Sequence, residues 1–148
     1  MTDTPTACLF CAIADGRLPT HLVHQDEEIM AFMDIQPIRP GHTLIIPRAH
    51  HAYFEDLPPA TAARIVDLGQ RLAREMKRIW QVPRVAFAFT GIDVAHTHAH
   101  VFPMVEVTDV LSKRQIAEPD ITVRPMPRAE PAELAGIAAR LADAVRQG

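Results

Sequence analysis

The chain is poor in the residues that mark several special classes of protein. Only two of its 148 residues are cysteine and only six are glycine, which excludes a disulfide-rich miniprotein and a collagen-like chain. No apolar run approaches the roughly 20 residues that a membrane-spanning helix needs, so we expect no membrane partner. The formal net charge is -3, and Lys and Arg are scattered along the chain, which argues against a nucleic-acid partner.

What the chain does contain is the balance of an ordinary globular protein. Hydrophobic residues make up 48% and charged residues 22%, and 148 residues are enough for one domain with its own core. The first seven residues include an Asp but no Lys or Arg, unlike a secretory signal peptide. We therefore expect a cytoplasmic protein.

The spacing of apolar residues predicts an α+β fold with an antiparallel sheet of about five strands. The predicted strands are apolar or β-branched runs bounded by turn residues, and they lie at 21–26, 29–35, 42–46, 85–89 and 94–104. A tight turn joins the first two, which predicts a hairpin. Residues 85–89 are apolar on both faces of the strand, which favours a central position in the sheet.

Two helices complete the predicted fold. The main helix covers 58–80, with Asp56 as its N-cap and prolines in the first turn, where no amide hydrogen is missed. Apolar residues at helical spacing mark an amphipathic C-terminal helix, namely Leu134, Ile137, Leu141 and Val145. We expect residues 1–106 to form the core of the domain, and residues 107–148 to add an arm and this helix to it.

Three histidines alternate along a segment that we expect to be a strand, so His96, His98 and His100 would point to one face. A surface row of hydrogen-bonded histidines is one interpretation, but three adjacent imidazoles pack poorly and repel one another when protonated. A metal site made of all three is another, although they span roughly 13 Å along a strand. The third is nucleophilic catalysis, in which a neutral imidazole attacks phosphorus and its neighbours orient it.

The only two cysteines form a CxxC pair near the N-terminus. Cys8 and Cys11 could supply half of a tetrahedral zinc site, which two histidines from elsewhere would complete. A redox pair of the thioredoxin type shares this spacing, but such a pair follows a strand in a βαβ unit, whereas this one precedes every predicted strand. Plain buried cysteines would also share it.

Four motifs, in this order, resemble those of the histidine triad (HIT) superfamily of nucleotide-binding hydrolases and transferases. They are CLFCAI at 8–13, AFMDI followed by a proline at 31–37, PGHTLIIPRAH at 40–50 and HTHAHVF at 96–102. The set extends over about two thirds of the chain. The resemblance implies the HIT fold and a homodimer whose sheets abut.

The resemblance also implies roles for single residues. His98 would be the nucleophile at the α-phosphorus and would form a covalent nucleotidyl-histidine, His100 would hydrogen-bond the phosphate, and His96 would help to position the nucleophile. A purine nucleotide would be bound by residues around its ribose, base and phosphate, namely Asp34, Phe10, Phe32, Ile35 and His42. For Phe32, which lies within a predicted strand, a plain core position is an equal expectation.

Zinc-bearing relatives in this superfamily imply two further metal ligands, which match His50 and His96. The implied zinc ligands are therefore Cys8, Cys11, His50 and His96. His51 competes with its neighbour, although its spacing is off by one. Zinc on His96 would fix this ring beside the nucleophile, so the site would be structural and yet adjacent to the chemistry.

One segment departs from the motifs of the superfamily. Many of its nucleotide hydrolases carry Gln and a hydroxyl residue where this chain has Ile92 and Asp93, and a carboxylate that faces phosphate would repel it. The implied activity is hydrolysis or transfer at the α-phosphorus of a phosphoramidate or a dinucleoside polyphosphate. The alternatives are a nucleotide-binding regulatory or scaffolding protein with vestigial catalysis, and a zinc-dependent hydrolase that uses the three histidines as ligands.

Overall fold

Within the residues that the structure describes, the fold consists of one sheet and three α-helices. The computed structural model describes residues 8–90, 93–106, 109–110 and 125–147. The strands are β1 (Leu22–Gln25), β2 (Ile29–Met33), β3 (Thr43–Pro47), β4 (Arg84–Phe89) and β5 (Ala99–Met104), and the helices are α1 (Leu9–Ala14), α2 (Pro59–Trp80) and α3 (Pro131–Gln147). The strands form one antiparallel sheet in the order β1-β2-β3-β5-β4, which confirms the predicted α+β fold and the β1–β2 hairpin. In these ranges no helix is both long and apolar enough to cross a membrane.

The sheet has two differently covered faces, because side chains alternate along each strand. On β2, Ile29, Ala31 and Met33 pack into a core shared with α2 and α3. Met30 and Phe32 point to the opposite face and pack into a second cluster with α1. We call this second side the α1 face, and it is the side on which most of the candidate site lies.

Helices α2 and α3 cover the first face with the apolar stripes that their sequences predict. The buried side chains of the two stripes are Ile65, Leu68, Leu72 and Met76 on α2, and Leu134, Leu141 and Val145 on α3. Burial of one such side chain contributes about 1.5–3 kcal/mol, so these stripes dominate the packing of the fold. A hydrogen bond from the Arg71 guanidinium to the carbonyl oxygen of Val145 joins the two helices.

The beginning of α2 differs from the prediction. The helix begins at Pro59, after Pro58 with φ -55° and ψ 135°, and no side-chain hydrogen bond caps it. Asp56, the predicted N-cap, instead ends a 3₁₀ turn at Phe54–Asp56. The Pro-Pro pair is the reason, because a residue that precedes proline is driven out of the helical region.

Within the described residues of the single chain, strand β4 lies at the edge of the sheet, so the prediction of a central strand at 85–89 was wrong. The two faces of this strand are apolar for different reasons. Phe87 lies against Gly69 of α2, where an added Cβ would come within 2.5 Å of the phenyl ring. Ala86 and Ala88 face the other way and border a large cavity rather than another layer of structure.

Strand β5 begins later than the predicted strand at 94–104. It starts at Ala99, so His96 and His98 lie in the preceding loop and only His100 lies on the strand. A turn hydrogen bond from the N–H of His96 to the carbonyl oxygen of Val94, at 2.8 Å, replaces strand pairing there. The expectation that the three histidines share one face of a strand was therefore wrong.

A glycine turn brings His42 to the site. Gly41 has φ 97°, a conformation that favours glycine, and an added Cβ would lie 2.6 Å from the ring of Trp80. The turn therefore needs glycine both for its backbone and for its packing against the end of α2. The imidazole of His42 then meets the ring of Phe102 on β5, with 5.0 Å between ring centroids.

Candidate active site and metal centre

Two cysteines and two histidines form a compact cluster around the beginning of α1. Cys8 is the N-cap of this helix, and its Sγ accepts a hydrogen bond from the N–H of Cys11. Nδ1 of His96 lies 3.4 Å from Sγ of Cys8 and 3.5 Å from Sγ of Cys11. Nδ1 of His50 lies 3.3 Å from Sγ of Cys11. The four ligand atoms all lie within 4.8 Å of one another, so the structure brings together the four implied zinc ligands.

A backbone carbonyl fixes the proton of His96 on the side away from the cysteines. Nε2 of His96 lies 2.9 Å from the carbonyl oxygen of Pro47, and Nε2 must carry the hydrogen because a carbonyl only accepts. Nδ1 is then an unprotonated acceptor that faces both sulfurs. The ring is fully buried, and burial lowers the pKa of His96, which keeps the imidazole neutral.

The donor set fits a zinc ion. Structural zinc sites are tetrahedral and are built from Cys sulfur and His nitrogen, as this cluster is. Burial raises the pKa of Cys11 to about 11, and the adjacent Cys8 adds to this effect. Two neighbouring thiolates are therefore unfavourable by themselves, and a divalent cation would supply the charge that stabilises them.

His51, the competing ligand, has a different place in the structure. Its carbonyl oxygen accepts hydrogen bonds from the backbone N–H of Thr97 at 2.7 Å and from Oγ1 of Thr97 at 3.0 Å. These two bonds attach the loop that carries His96 and His98 to the segment after β3. Of the two adjacent histidines, it is His50 whose ring nitrogen lies beside a cysteine.

A second histidine cluster forms a hydrogen-bonded chain. Nδ1 of His42 accepts the N–H of Ile38 at 3.1 Å, so its proton is on Nε2. That Nε2 lies 2.9 Å from Nδ1 of His100 and 3.6 Å from Oδ2 of Asp34. His42 therefore donates to His100, and a neutral His100 keeps its own hydrogen on Nε2. We call this chain the His42–His100 relay.

The relay is neutral at ordinary pH and is suited to hydrogen bonding rather than to metal binding. Burial lowers the pKa of His42 to about 4, against an opposing effect of the nearby Asp34. Burial also lowers the pKa of His100. Although Asp34, His42 and His100 are close enough to bind a cation, Nε2 of His42 carries a proton and offers no lone pair.

His98 has the opposite tautomer to His96. Its Nδ1 lies 2.7 Å from the carbonyl oxygen of His96, so Nδ1 carries the hydrogen and Nε2 is unprotonated. Its ring packs edge-on against Phe10 and against His100, at centroid distances of 5.1 and 5.0 Å. His98 is buried except for 7% of its surface, so its orientation is fixed by packing as well as by the hydrogen bond.

The structure thus divides the three alternating histidines between two clusters. His96 lies with the cysteines, whereas His98 and His100 lie side by side. A metal site made of all three does not fit, because the unprotonated nitrogen of His96 faces the cysteines and that of His100 faces His42.

Three cavities adjoin these clusters, and we name each after one residue that lines it. The Leu44 cavity has a volume of about 310 Å³, the His100 cavity about 810 Å³ and the His98 cavity about 190 Å³. Asp34 lines both the Leu44 and the His100 cavities, and Thr90 lines both the His100 and the His98 cavities. The three spaces therefore follow one another along the site.

Of the residues implied to bind a nucleotide, some line a cavity, and Phe10 packs behind them. Phe32, Asp34 and Ile35 line the Leu44 cavity, and Ile35 is 48% exposed. Phe10 is buried, and its ring packs edge-on against Phe32 with 5.7 Å between centroids. Phe10 also contacts His98, so in this structure it supports the walls of the site from within the core.

The His100 cavity includes residues that sequence reasoning did not single out. On β5, Phe102 follows His100 on the same face, and the alternation of side chains along a strand could have identified it. Asp109, Val110 and Met126 also line this cavity, and no motif marks them. Asp93 lines it and is exposed, whereas Ile92 lies outside the described residues.

Comparisons with known proteins identify the family. Residues 15–107 match the family model described as the HIT domain. The chain belongs to the HIT family. An uncharacterized HIT-like protein of Mycobacterium tuberculosis is 36% identical over 101 residues, which cover 65% of this chain and 70% of that protein. The adenosine 5'-monophosphoramidase of Saccharomyces cerevisiae is 34% identical over 98 residues, which cover 66% of this chain and 62% of the yeast protein.

A solved structure of the same family confirms the predicted HIT fold. It is the crystal structure of a Zn-bound histidine triad family protein from Mycobacterium smegmatis, with a TM-score of 0.73 and 30% sequence identity. The similarity covers 95% of this chain and 94% of that protein, so it extends beyond the HIT domain match at residues 15–107.

Proposed function

We propose that this HIT protein is a hydrolase or transferase that acts at the α-phosphorus of a nucleotide conjugate through a covalent nucleotidyl-histidine. The state of His98 carries this proposal. Its Nδ1–H is bound by the carbonyl oxygen of His96, which leaves Nε2 with a free lone pair. A fixed, neutral imidazole of this kind is the nucleophile that attack at phosphorus requires.

His100 is the proposed hydrogen-bond donor to the phosphate. The relay occupies its Nδ1, so its Nε2–H is available to a phosphate oxygen beside His98. Because the pKa values of His42 and His100 are both lowered by burial, this donor stays in one protonation state across the neutral range. A donor that is already oriented stabilises charge that develops on the phosphate oxygens in the transition state.

Asp34 is the proposed ribose-binding residue, and the Leu44 cavity the proposed site of a purine base. Oδ1 of Asp34 accepts the N–H of Gln36 at 2.8 Å, and the carboxylate keeps further acceptor positions for hydroxyl groups. A ribose at Asp34 would place the base between Phe32 and Ile35, and the phosphate in the His100 cavity. The volume of the Leu44 cavity, about 310 Å³, is within the usual range for ligand sites.

We propose one structural zinc ion per chain, bound by Cys8, Cys11, His50 and His96. The cluster geometry and the Zn-bound structural relative support this. A zinc ion at this site would cross-link α1 to the segment after β3 and to the loop before β5. His96 would then orient His98 through its carbonyl oxygen, so the metal centre and the nucleophile share one residue.

A nucleoside phosphoramidate is the proposed substrate class, and the activity named for the yeast relative supports it. In the first step a bond forms between Nε2 of His98 and phosphorus while the P–N bond breaks, and the leaving nitrogen takes up a proton from solvent. Water then adds to phosphorus while the bond to Nε2 breaks, and a proton of this water returns to solvent, so a phosphoramidate and water yield a nucleotide and an amine. The alternative is a regulatory nucleotide-binding protein with vestigial catalysis, which Asp93 in the His100 cavity would favour.

We also propose that the protein forms a cytoplasmic homodimer. Within the described residues, β4 pairs only with β5, and Phe87 on this edge strand is 39% exposed. A second copy that pairs along β4 would cover this apolar edge, which otherwise invites unspecific pairing. A reducing compartment would keep Cys8 and Cys11 available as metal ligands.

Trapping of the intermediate tests the proposed function. Wild-type protein is mixed with an adenosine phosphoramidate, quenched at alkaline pH and analysed by mass spectrometry of peptides that contain His98. We expect steady turnover and an adenylate on His98 during the reaction. Turnover without an adduct on His98, or nucleotide binding without turnover, would contradict the proposed mechanism and favour the regulatory alternative.

A further inference from the structure

Helix α1 is the element that the cysteine cluster and the proposed nucleotide site have in common. Its six residues follow Cys8 directly and include Cys11. An isolated helix of this length is not stable in water, because its nucleation costs more than so few hydrogen bonds return. The position of α1 therefore depends on how its two ends are attached to the rest of the domain.

Both ends of α1 are attached to the segment that follows β3. At the first end, Sγ of Cys11 lies 3.3 Å from Nδ1 of His50. At the other end, Nη2 of Arg48 donates a hydrogen bond of 2.8 Å to the carbonyl oxygen of Ala14. The last carbonyl groups of a helix have no partner within it, and a cation there also interacts favourably with the helix dipole. Arg48 and the cysteine cluster therefore hold the same short helix at opposite ends.

The segment that holds α1 is itself fixed by its backbone. The N–H of Arg48 donates to the carbonyl oxygen of Glu28 at 2.8 Å, in the turn before β2. The carbonyl oxygen of Pro47 accepts the ring hydrogen of His96. Arg48 thus lies on a rigid base between the hairpin and the cysteine cluster, so its guanidinium can fix the end of α1.

Three side chains of α1 lie at the proposed nucleotide site. Leu9 and Ile13 line the Leu44 cavity, where we propose that the base binds. Phe10 packs edge-on against His98, with 5.1 Å between ring centroids. A displacement of α1 would therefore change the wall of the base cavity and the packing of the proposed nucleophile at the same time.

The Leu44 cavity lies between α1 and the sheet. Phe32 of β2 and Leu44 of β3 line it from the side of the sheet. A base bound there would contact helix and sheet together, and it would stabilise the position of α1 that a metal in the cysteine cluster also requires. Two ligands that favour one arrangement of a shared element strengthen each other's binding by the same factor in both directions.

We propose that α1 couples the cysteine cluster to the nucleotide cavity, so that zinc and a mononucleotide bind with positive cooperativity, and that Arg48 is the positioning residue at the far end of this helix. This inference rests on the proposed function. Arg48 belongs neither to the cysteine cluster nor to the described lining of the Leu44 cavity, so its effect on nucleotide binding would have to pass through α1. If the apolar side of α1 alone held the helix, the two sites would be independent.

The affinity of each ligand with and without the other tests the coupling. Calorimetry gives Kd for AMP on the zinc-loaded full chain and on protein treated with a chelator, and competition with a chromophoric chelator gives Kd for Zn²⁺ with and without AMP. We expect removal of zinc to raise Kd for AMP at least about fivefold, and saturating AMP to lower Kd for Zn²⁺ by the same factor. Adenosine, which has no phosphate to bind free zinc, should show the same coupling.

Variants at the far end of α1 test the positioning role. Arg48→Ala should raise Kd for AMP about fivefold and weaken zinc binding, whereas Arg48→Lys should restore both affinities, because a lysine ammonium can still donate to the carbonyl oxygen of Ala14. Arg17→Ala is the matched control. It removes the same charge near the same end of α1, but the Arg17 guanidinium binds the exposed side chain of Asp15 rather than the helix backbone. Both affinities should stay unchanged in this control.

Different results would overturn the inference and the proposed function. AMP binding that is equal with and without zinc, or unchanged in Arg48→Ala, would refute the coupling and leave the proposed function intact. If neither AMP nor adenosine binds the zinc-loaded wild type, the proposed function fails, and an unchanged Kd for Zn²⁺ in Arg48→Ala would separately refute the role of Arg48. If removal of zinc unfolds the wild type, AMP binding to the zinc-loaded Arg48 variants decides, and equal affinities there would refute the inference.

Discussion

The two histidine clusters use the same side chain for two different purposes, and their backbone partners explain the difference. At the cysteines, the carbonyl oxygen of Pro47 accepts the proton of His96 and turns a bare nitrogen toward sulfur. In the relay, the N–H of Ile38 occupies the lone pair of His42 and directs a proton toward His100. When a backbone carbonyl oxygen accepts the hydrogen of one ring nitrogen, the other nitrogen is left unprotonated and can bind a metal. When a backbone N–H donates to one ring nitrogen, the other nitrogen carries the hydrogen and acts as a donor.

His98 shows that the same rule sets reactivity. A carbonyl oxygen accepts its Nδ1–H, as Pro47 does for Nε2 of His96, and so His98 also presents a bare nitrogen. That nitrogen belongs to a residue beside the relay rather than beside the cysteines. One cluster therefore fits a cation, while the other combines a nucleophile with a neutral hydrogen-bond donor.

The largest expected effect is the loss of the nucleophile. His98→Asn should lower turnover by at least about three decades, because no other described nitrogen in the cluster has both the tautomer and the position to attack phosphorus. Affinity for AMP should stay nearly unchanged, since His98 is not expected to bind the base or ribose. Single-turnover kinetics and calorimetry measure the two quantities, and substantial activity in this variant would overturn the assignment.

The next effect is loss of metal from the cysteine cluster. Cys8→Ser should release zinc and lower the melting temperature by about 10 °C, because metal binding at such a site is coupled to folding. His51→Asn is the control and should retain zinc, since the ring beside Cys11 is that of His50. Elemental analysis of protein purified without added zinc decides the matter. If the wild type contained no zinc, the assignment of the cysteine cluster as a metal centre, distinct from the relay, would be wrong.

A third prediction concerns the pH dependence of stability that His42 contributes. Its pKa falls from 6.5 to about 4 on folding, so between these values the unfolded chain binds a proton that the folded chain does not. The stabilisation is therefore complete above pH 6.5 and is lost as the pH falls, by roughly 3 kcal/mol in total.

Denaturant unfolding at a series of pH values measures this contribution. The fall in unfolding free energy between pH 6.5 and pH 4 should be smaller in His42→Asn than in wild type. An unchanged slope in His42→Asn would show that the relay does not hold His42 neutral.

The smallest effect concerns the nucleotide. AMP or GMP should raise the melting temperature by mass action, whereas phosphate or ribose alone should do little at equal concentration. Asp34→Ala should weaken mononucleotide binding by about 1.5–3 kcal/mol, through loss of charge-assisted hydrogen bonds to the ribose. Melting series with AMP, GMP, CMP and UMP on both proteins measure this effect. If no mononucleotide stabilises the wild type at millimolar concentration, the site does not bind nucleotides.

Much of the fold could be predicted because it depends on local periodicity. The apolar stripe on α2 and the continuous apolar runs of β2 and β3 can be recognised from the sequence alone. The position of β4 could not be predicted in this way, because a strand that borders a cavity with Ala86 and Ala88 is as apolar as a buried one. The prediction of the N-cap of α2 was wrong for a local reason, because two prolines outweigh the preference of Asp56 for an N-cap position.

The sequence was sufficient to predict which residues form the site. It was not sufficient to predict which ring nitrogen of each histidine carries the hydrogen, and this decides the role of each histidine. His96, His98 and His100 are equivalent in a pattern of alternating residues. The tautomers of His96 and His98 depend on backbone carbonyl oxygens, and that of His100 depends on the ring of His42. For His96 the partner is Pro47, about fifty residues away along the chain. Two lining residues of the His100 cavity were inaccessible for another reason: Val110 and Met126 belong to no motif, and they reach the cavity through hydrogen bonds that Met126 and the neighbouring Asp109 make to residues far away along the chain.

The protonation of the histidine rings is the most direct test of this account. Long-range proton–nitrogen correlation spectra of uniformly nitrogen-15-labelled protein at neutral pH report which ring nitrogen carries hydrogen. The account predicts hydrogen on Nδ1 of His98 with a bare Nε2, and hydrogen on Nε2 of His42, His96 and His100. Hydrogen on Nε2 of His98 would contradict the account, because the proposed nucleophile would then have no lone pair to attack phosphorus.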